Sequence, residues 1–373
     1  MMTSRERVIR AIEFKGIDRI PIMHAVLPAA WYKYGEELAN ILSRYPKDIV
    51  SSLDKMDVSR RPASAGYKYS EDLSKKWTFE DDFIYLEPRS FQYGTPGEAG
   101  DSTDEWGCTW RKIDPGIVGQ VIKSPLEDWD NLDSYRFPDA LAYWRFNIPE
   151  IERTIEYAQR KGKYIIAYSG NLFELLQWIR DYVPLMMDIM EDRERVRFLI
   201  EKIVDYNLKT LGFWLRYPVD GILFQDDWGT QRQLIINPKI WRELFKPYYK
   251  ELFEAVHRAG HHVHFHTDGY TIDIIPDLIE IGVDVLNPQF SAMNLDALAK
   301  IVAGKICIRS DIDRQYILTK ALPEEVELYV KRVIDLFGSK EGGFIGMGEI
   351  NSDSKLENVE AMYEAFEKYG RYN

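Results

Sequence analysis

In the stretch His262-Val263-His264-Phe265-His266-Thr267-Asp268-Gly269, polar and apolar residues alternate for five positions and then give way to a turn. Period-two alternation marks a β-strand, whose successive side chains point to opposite faces. The three histidines therefore share one face, and Val263 and Phe265 share the other. Helical patterns flank the stretch over 238–259 and 271–281, making it one strand of a strand–helix unit. Further strand-like runs lie at Tyr164–Tyr168, Gly221–Gln225, Val283–Leu286, Ile306–Ile308 and Phe344–Met347, with helical patterns such as 193–217 and 323–337 among them. Such repetition requires a parallel sheet covered by helices. Ile20–Met23 and a strand near Ile49–Val50 bring the count to eight, the number that closes a barrel. The expected fold class is α/β, a (β/α)8 TIM barrel, with residues 1–373 forming one domain. Residues 66–124 break the pattern. Short runs at Trp77–Phe79, Phe83–Glu87, Trp106–Trp110 and Ile117–Ile122, separated by Asp, Gly and Pro, predict a β-rich antiparallel excursion. No Gly-rich turn follows the early strands, which argues against a dinucleotide-binding sheet.

The chain has 373 residues, with 48 Lys and Arg against 60 Asp and Glu, a net charge of −12. That balance argues against nucleic acid as the main partner, because binding a phosphate backbone needs clustered cations. Cys108 and Cys307 are too few and too far apart for a disulfide framework or a CxxC motif, so a reducing, cytoplasmic setting is expected. No apolar run is long enough to predict a membrane span.

In a barrel of this class the chemistry lies just beyond the C-terminal ends of the strands. That rule selects His24, Ser169-Gly170-Asn171, Asp226-Asp227-Trp228, Thr267-Asp268-Gly269, Asn287, Ser310-Asp311-Ile312-Asp313 and Gly348-Glu349. Five of the six histidines fall between positions 257 and 266. His262 and His264 read first as packed interior residues, with His264 kept as a substrate contact; His266, two residues before Asp268, reads as a site residue. Adjacent side chains diverge, so one of Asp226 and Asp227 faces the mouth and the other caps the turn. Trp31, Tyr168 and Trp228 suit an aromatic substrate, and ordinary packing is the competing reading. Cys307, inside an apolar strand, reads as inert core.

Several of these motifs together resemble the uroporphyrinogen decarboxylase superfamily. They are the opening Thr3-Ser4-Arg5-Glu6-Arg7-Val8 with Asp18-Arg19-Ile20-Pro21, then Asp104-Glu105-Trp106-Gly107-Cys108, the His266-Thr267-Asp268-Gly269 turn, and the ending Gly342-Gly343-Phe344-Ile345-Gly346-Met347-Gly348 followed by Glu357-Asn358-Val359. The resemblance implies a (β/α)8 barrel. True porphyrin decarboxylases carry an arginine-rich segment near the N-terminus, whereas His24–Tyr34 contains no arginine, and they place a Gly-His-Gly turn where this chain has Gly348-Glu349-Ile350. The chain is more similar to the zinc-dependent methyltransferases that serve corrinoid proteins. Carried over from that branch, the metal ligands are His266, Asp268 and Glu349, with carboxylates replacing both thiolates. Zinc or another divalent metal is then expected; in the reading without metal, Asp268 caps the turn and Glu349 contacts substrate.

Three functions compete. In the first, a metal holds a substrate heteroatom while a methyl group passes between a small methoxylated or thiol substrate and a corrinoid on a partner protein, O-demethylation being preferred. Asp227, Asp268 and Glu349 are then the catalytic residues, with His24, Trp31, Tyr168, Trp228, His264 and Arg309 around the substrate. In the second, the protein is a lyase that decarboxylates a small acid, with Arg309 holding the carboxylate. In the third, it binds a tetrapyrrole or a metal without turnover.

Overall fold

The structure is a computed structural model that describes residues 2–46, 49–50, 83–86, 99–114 and 118–372. Among the described residues twelve strands run in chain order: β1 Ile22–Val26, β2 Ile49–Val50, β3 Phe83–Leu86, β4 Gly100–Thr103, β5 Thr109–Lys112, β6 Gln120–Lys123, β7 Tyr164–Gly170, β8 Gly221–Gln225, β9 His262–Thr267, β10 Val285–Pro288, β11 Cys307–Arg309 and β12 Phe344–Ile350. Nine form one parallel sheet in the order β2-β1-β12-β11-β10-β9-β8-β7-β3.

Side-chain alternation explains why that sheet curls. Met23 of β1, Tyr164 and Ile166 of β7, Leu223 of β8, Val285 of β10, Cys307 of β11 and Ile345 and Met347 of β12 meet in one inner cluster. Residues from β1 and β7, far apart in the strand order, can share a core only if the sheet bends round on itself. The alternate residues, such as Ile165, Ile222, Val263, Phe265, Leu286 and Ile308, face outward into a second core under the helices. The result is an α/β fold whose seven strands β1 and β7–β12 form a curled parallel sheet, consistent with a TIM-like barrel. Val8 and Ile12 of the first helix, Ser4–Ile12, enter the inner cluster and plug the end where the strands begin. Tyr164 meets both His262 Nδ1 at 2.8 Å and His264 Nε2 at 3.0 Å on this floor. His264 is thus a packed interior residue, well away from the expected substrate contact, and burial drives its pKa well below the ordinary imidazole value.

Two sequence expectations shift. The sequence pattern puts Phe83–Leu86 in the antiparallel excursion, but this segment pairs parallel with β7, extending the main sheet. A short apolar run does not encode the direction of its pairing. The first strand ends at Val26 instead of Met23, so His24 lies mid-strand. It faces outward, its ring 4.7 Å from that of Tyr363, and leaves the mouth.

The antiparallel part of the excursion that the structure describes is β4-β5-β6. Its turn is organised by Asp104, a buried carboxylate that accepts from Trp106 N and Cys108 N, both at 2.9 Å, and from Trp110 Nε1 at 2.7 Å. The motif from Asp104 to Cys108 is therefore a folding device. Trp106 and Trp110 pack on Tyr206 and Trp178, tying the small sheet to the helices Arg193–Trp214 and Phe173–Arg180. Of the excursion, residues 66–82, 87–98 and 115–117 lie outside the described residues. Among the described residues no helix is long and apolar enough to cross a membrane.

Candidate functional site

The mouth is assembled by loops that follow β7, β8, β9, β11 and by the end of β12. The loops after β8 and β9 are fastened together: Asp226 N donates to His266 O at 3.1 Å, Asp268 N to Asp227 Oδ1 at 2.8 Å, and Gly229 N to Asp268 O at 3.1 Å. Gly269 has φ +79°, and a Cβ there would run into the carbonyl of Gly229, so only glycine permits this approach.

Asp226 and Asp227 divide their roles as side-chain divergence requires. Asp226 is buried and accepts from Leu172 N and Glu174 N, both at 2.8 Å, and from Tyr249 Oη at 2.6 Å, capping the helix Phe173–Arg180. Asp227 turns the other way, its Oδ1 3.9 Å from His266 Nε2. Asp268 Oδ1 stands 3.7 Å from the same nitrogen. Ligand atoms of Asp227, His266 and Asp268 all lie within 4.8 Å of one another, the one such group of three among the described residues. Asp268 Oδ1 is buried with no hydrogen-bond partner, a costly state for a carboxylate oxygen unless a cation meets it. Water exclusion pushes the Asp227 carboxyl above its ordinary range; His266 opposes the shift and Asp268 adds to it.

Glu349 sits elsewhere than the expected ligand set placed it. Its Oε1 accepts from Arg314 Nη1 at 2.8 Å, while Arg314 Nη2 binds Asp268 Oδ2. Glu349 is thus joined to Asp268 through a shared guanidinium, and Asp227 takes its place beside His266. Asp311, 4.0 Å from the same guanidinium, has both oxygens buried without hydrogen bonds. Burial pushes its pKa up to about 7, Arg314 pulling down and Asp268 and Glu349 pushing up.

On the β7 side, Tyr168 donates to Asn171 Oδ1 and Asn171 Nδ2 donates to Glu174 Oε2. The Glu174 carboxyl lies well above the ordinary carboxylate range, because water is excluded and Asp227, Asp226 and Asp268 are close. Neither Glu174 nor Arg314 was among the sequence candidates. A carboxylate on the first turn of the helix after β7, and the residue following Asp313, were the available signals.

The remaining candidates divide. Tyr168 lines the interior beside Asn171. Arg309 is buried in the interior, its Nη2 3.1 Å from Asn287 Oδ1. Trp31 lies in the outer core. Trp228 departs from its expected place at the opening: it is wholly buried and stacked 3.9 Å from Phe173, with Phe245 at 4.7 Å. The backbone turns inward at Asp227, so the next side chain is carried outward into the helix layer.

The family model for uroporphyrinogen decarboxylase (URO-D) matches residues 107–369. Uroporphyrinogen decarboxylases of Actinobacillus pleuropneumoniae serotype 5b (strain L20) and serotype 7 (strain AP76) are each 19% identical over 264 residues, covering 68% of this chain and 72% of theirs. Among solved structures, a methyltransferase from Methanosarcina mazei superposes with a TM-score of 0.64 at 13% identity over 99% of both chains. At that identity the likeness establishes a shared fold.

Proposed function

The chain belongs to the uroporphyrinogen decarboxylase family, and on that premise we propose that it is a metal-dependent methyltransferase. Its reaction moves a methyl group between a small methoxylated or thiol substrate and a corrinoid carried by a partner protein, with O-demethylation the preferred direction. The observation that carries this reading is the convergence of Asp227, His266 and Asp268, with a buried oxygen of Asp268 left unpaired. Two carboxylates and one imidazole bring a charge of −2, which offsets a divalent ion, and their hardness suits an oxygen-bearing substrate better than a thiol. A metal held there would supply Lewis acidity to the substrate heteroatom.

The rest follows from the chain's own residues. Arg314 holds Asp268 by Oδ2, leaving Oδ1 turned toward His266. Glu174, whose carboxyl is raised well above the ordinary range by water exclusion and by Asp227, Asp226 and Asp268, would be the acid that gives a proton to an oxygen that loses its methyl group. Asn171 and Tyr168 hold that acid in place.

The competing carboxy-lyase reading draws on the relatives named above. It requires a cation for the substrate's carboxylate. Arg309, the cation expected for it, already donates to Asn287 Oδ1 at 3.1 Å, and Arg314 is clasped by Asp268 and Glu349. Neither is a ready partner for a polycarboxylate.

Elemental analysis of protein purified without chelator tests the proposal. One zinc or other divalent ion per chain, lost in Asp227→Ala and His266→Ala but retained in Glu349→Ala, is expected. Metal content indifferent to Asp227 and His266 would overturn it.

A further inference from the structure

Asn287 is where β10 meets His266. The two residues are register partners on adjacent strands, and Arg309 faces the same interior from β11, the next strand. The Asn287 side chain is 3% exposed and its orientation is fixed on both ends. Its Nδ2 lies 2.9 Å from Arg309 O and 3.3 Å from Ser310 O, which can only accept. Its Oδ1 lies 3.1 Å from Arg309 Nη2, which can only donate. The amide therefore cannot be turned over without placing donor on donor and acceptor on acceptor.

With that orientation set, His266 Nδ1 meets two acceptors, Asn287 Oδ1 at 2.9 Å and Asn287 O at 3.1 Å. Only an Nδ1–H satisfies them. A neutral imidazole carries one N–H, so Nε2 is left as a lone pair, aimed at the space bounded by Asp227 Oδ1 and Asp268 Oδ1.

We infer that Asn287, held in place by Arg309, is a positioning residue that selects the Nδ1–H tautomer of His266 and so presents Nε2 as a metal ligand. The inference rests on the metal reading proposed above, although the tautomer itself is a property of the metal-free protein. A mere staple between strands would hold β9, β10 and β11 together without governing which ring nitrogen bears the proton. Orientation of this kind by an outer hydrogen bond contributes about 10- to 100-fold to metal affinity.

The test uses the full chain, labelled with 15N at histidine and stripped of metal, at a pH where His266 is neutral. Long-range 1H–15N spectra report the tautomer, and His266→Gln assigns the signal. The wild type should show protonated Nδ1 and unprotonated Nε2. Asn287→Leu should admit the Nε2–H form and weaken Zn2+ binding about 10- to 100-fold. Asn287→Asp, which keeps the acceptor on His266 but sets a carboxylate oxygen against Arg309 O and Ser310 O, should be less stable yet retain the wild-type tautomer. An Nε2–H tautomer in the wild type overturns the inference whether or not any variant folds. So does a folded Asn287→Leu protein with an unchanged tautomer, since the Asn287 carbonyl would then suffice alone. A wild type that shows the expected tautomer, with the shift in Asn287→Leu, but binds neither Zn2+ nor another divalent ion supports the positioning role and overturns the metal reading.

Discussion

Asp311→Asn is the substitution whose effect the structure lets one compute most directly. Asp311 lies at the mouth, 2% exposed, with no hydrogen bond to either carboxyl oxygen, and burial raises its pKa from an ordinary 3.8 to about 7. Below pH 4 the folded and unfolded chains both hold the proton, and the group does not affect stability. As pH rises from 4 to 7 the unfolded chain releases a proton that the folded chain keeps, so stability falls through that window and is level above it. The gap is about 3 pH units at about 1.4 kcal/mol each, or about 4 kcal/mol. An amide at this position cannot ionise, so the effects of the substitution that do not involve charge appear as a nearly constant offset below pH 4, while the attraction of ionised Asp311 to Arg314 is already contained in its folded pKa. Relative to wild type, the variant should gain about 4 kcal/mol between pH 4 and pH 8. For a chain of 373 residues, an unfolding entropy of about 2 cal/mol/K per residue converts that gain to a relative rise in Tm of about 5 °C. Thermal unfolding of metal-stripped wild type and variant across that pH range measures it. A Tm difference that does not change with pH would refute the reasoning, and a change of opposite sign would mean that Arg314 holds Asp311 ionised.

Three further outcomes follow from the same geometry. Gly269→Ala, with φ +79° and the Gly229 carbonyl in the way, should separate the two fastened loops and lower metal affinity at least about tenfold while the rest of the barrel stays folded; unchanged affinity would show that the turn tolerates a side chain. His257 has its pKa raised chiefly by its hydrogen bond to Asp284, so the pair stabilises the fold below about pH 6.5 and loses that contribution as pH rises through the folded value; His257→Gln should cost less than about 1 kcal/mol at pH 5.5 and nothing at pH 8.5 in denaturant titrations. Trp228→Ala should destabilise the protein by about 3–5 kcal/mol through the cavity left beside Phe173 and Phe245, and the fraction that remains folded should bind metal normally.

Much of the fold was legible because the apolar runs of β7 to β12 alternate with helical patterns along the chain, and because in β9 the apolar residues that face the helices alternate with histidines that face the interior. His262, His264 and His266 declared a common face before any contact was known. Their fates still differ with depth, since His262 and His264 lie on the barrel floor with Tyr164 and only His266 reaches the loops. His24 was misplaced because strand ends are the least determined feature of a periodic pattern, and three residues of error moved it from a loop to mid-strand. Asp227 and Asp268 were legible from their positions after strands. Arg314, Glu174 and the bond from His266 to Asn287 were not, because each depends on contacts between elements at least 21 positions apart in sequence, and no local pattern encodes those.

A metal held by Asp227, His266 and Asp268 is proposed to serve methyl transfer. The most direct measurement is anaerobic transfer of a 13C-labelled methyl group from a methoxylated aromatic compound to a reduced corrinoid protein. The enzyme is chelator-stripped, then reconstituted with one equivalent of zinc or another divalent ion. Label should reach the corrinoid only after reconstitution, and Asp227→Asn should abolish the transfer while Trp31→Phe leaves it nearly intact. Equal transfer without metal, or release of carbon dioxide from a carboxylic acid with no corrinoid present, would contradict it.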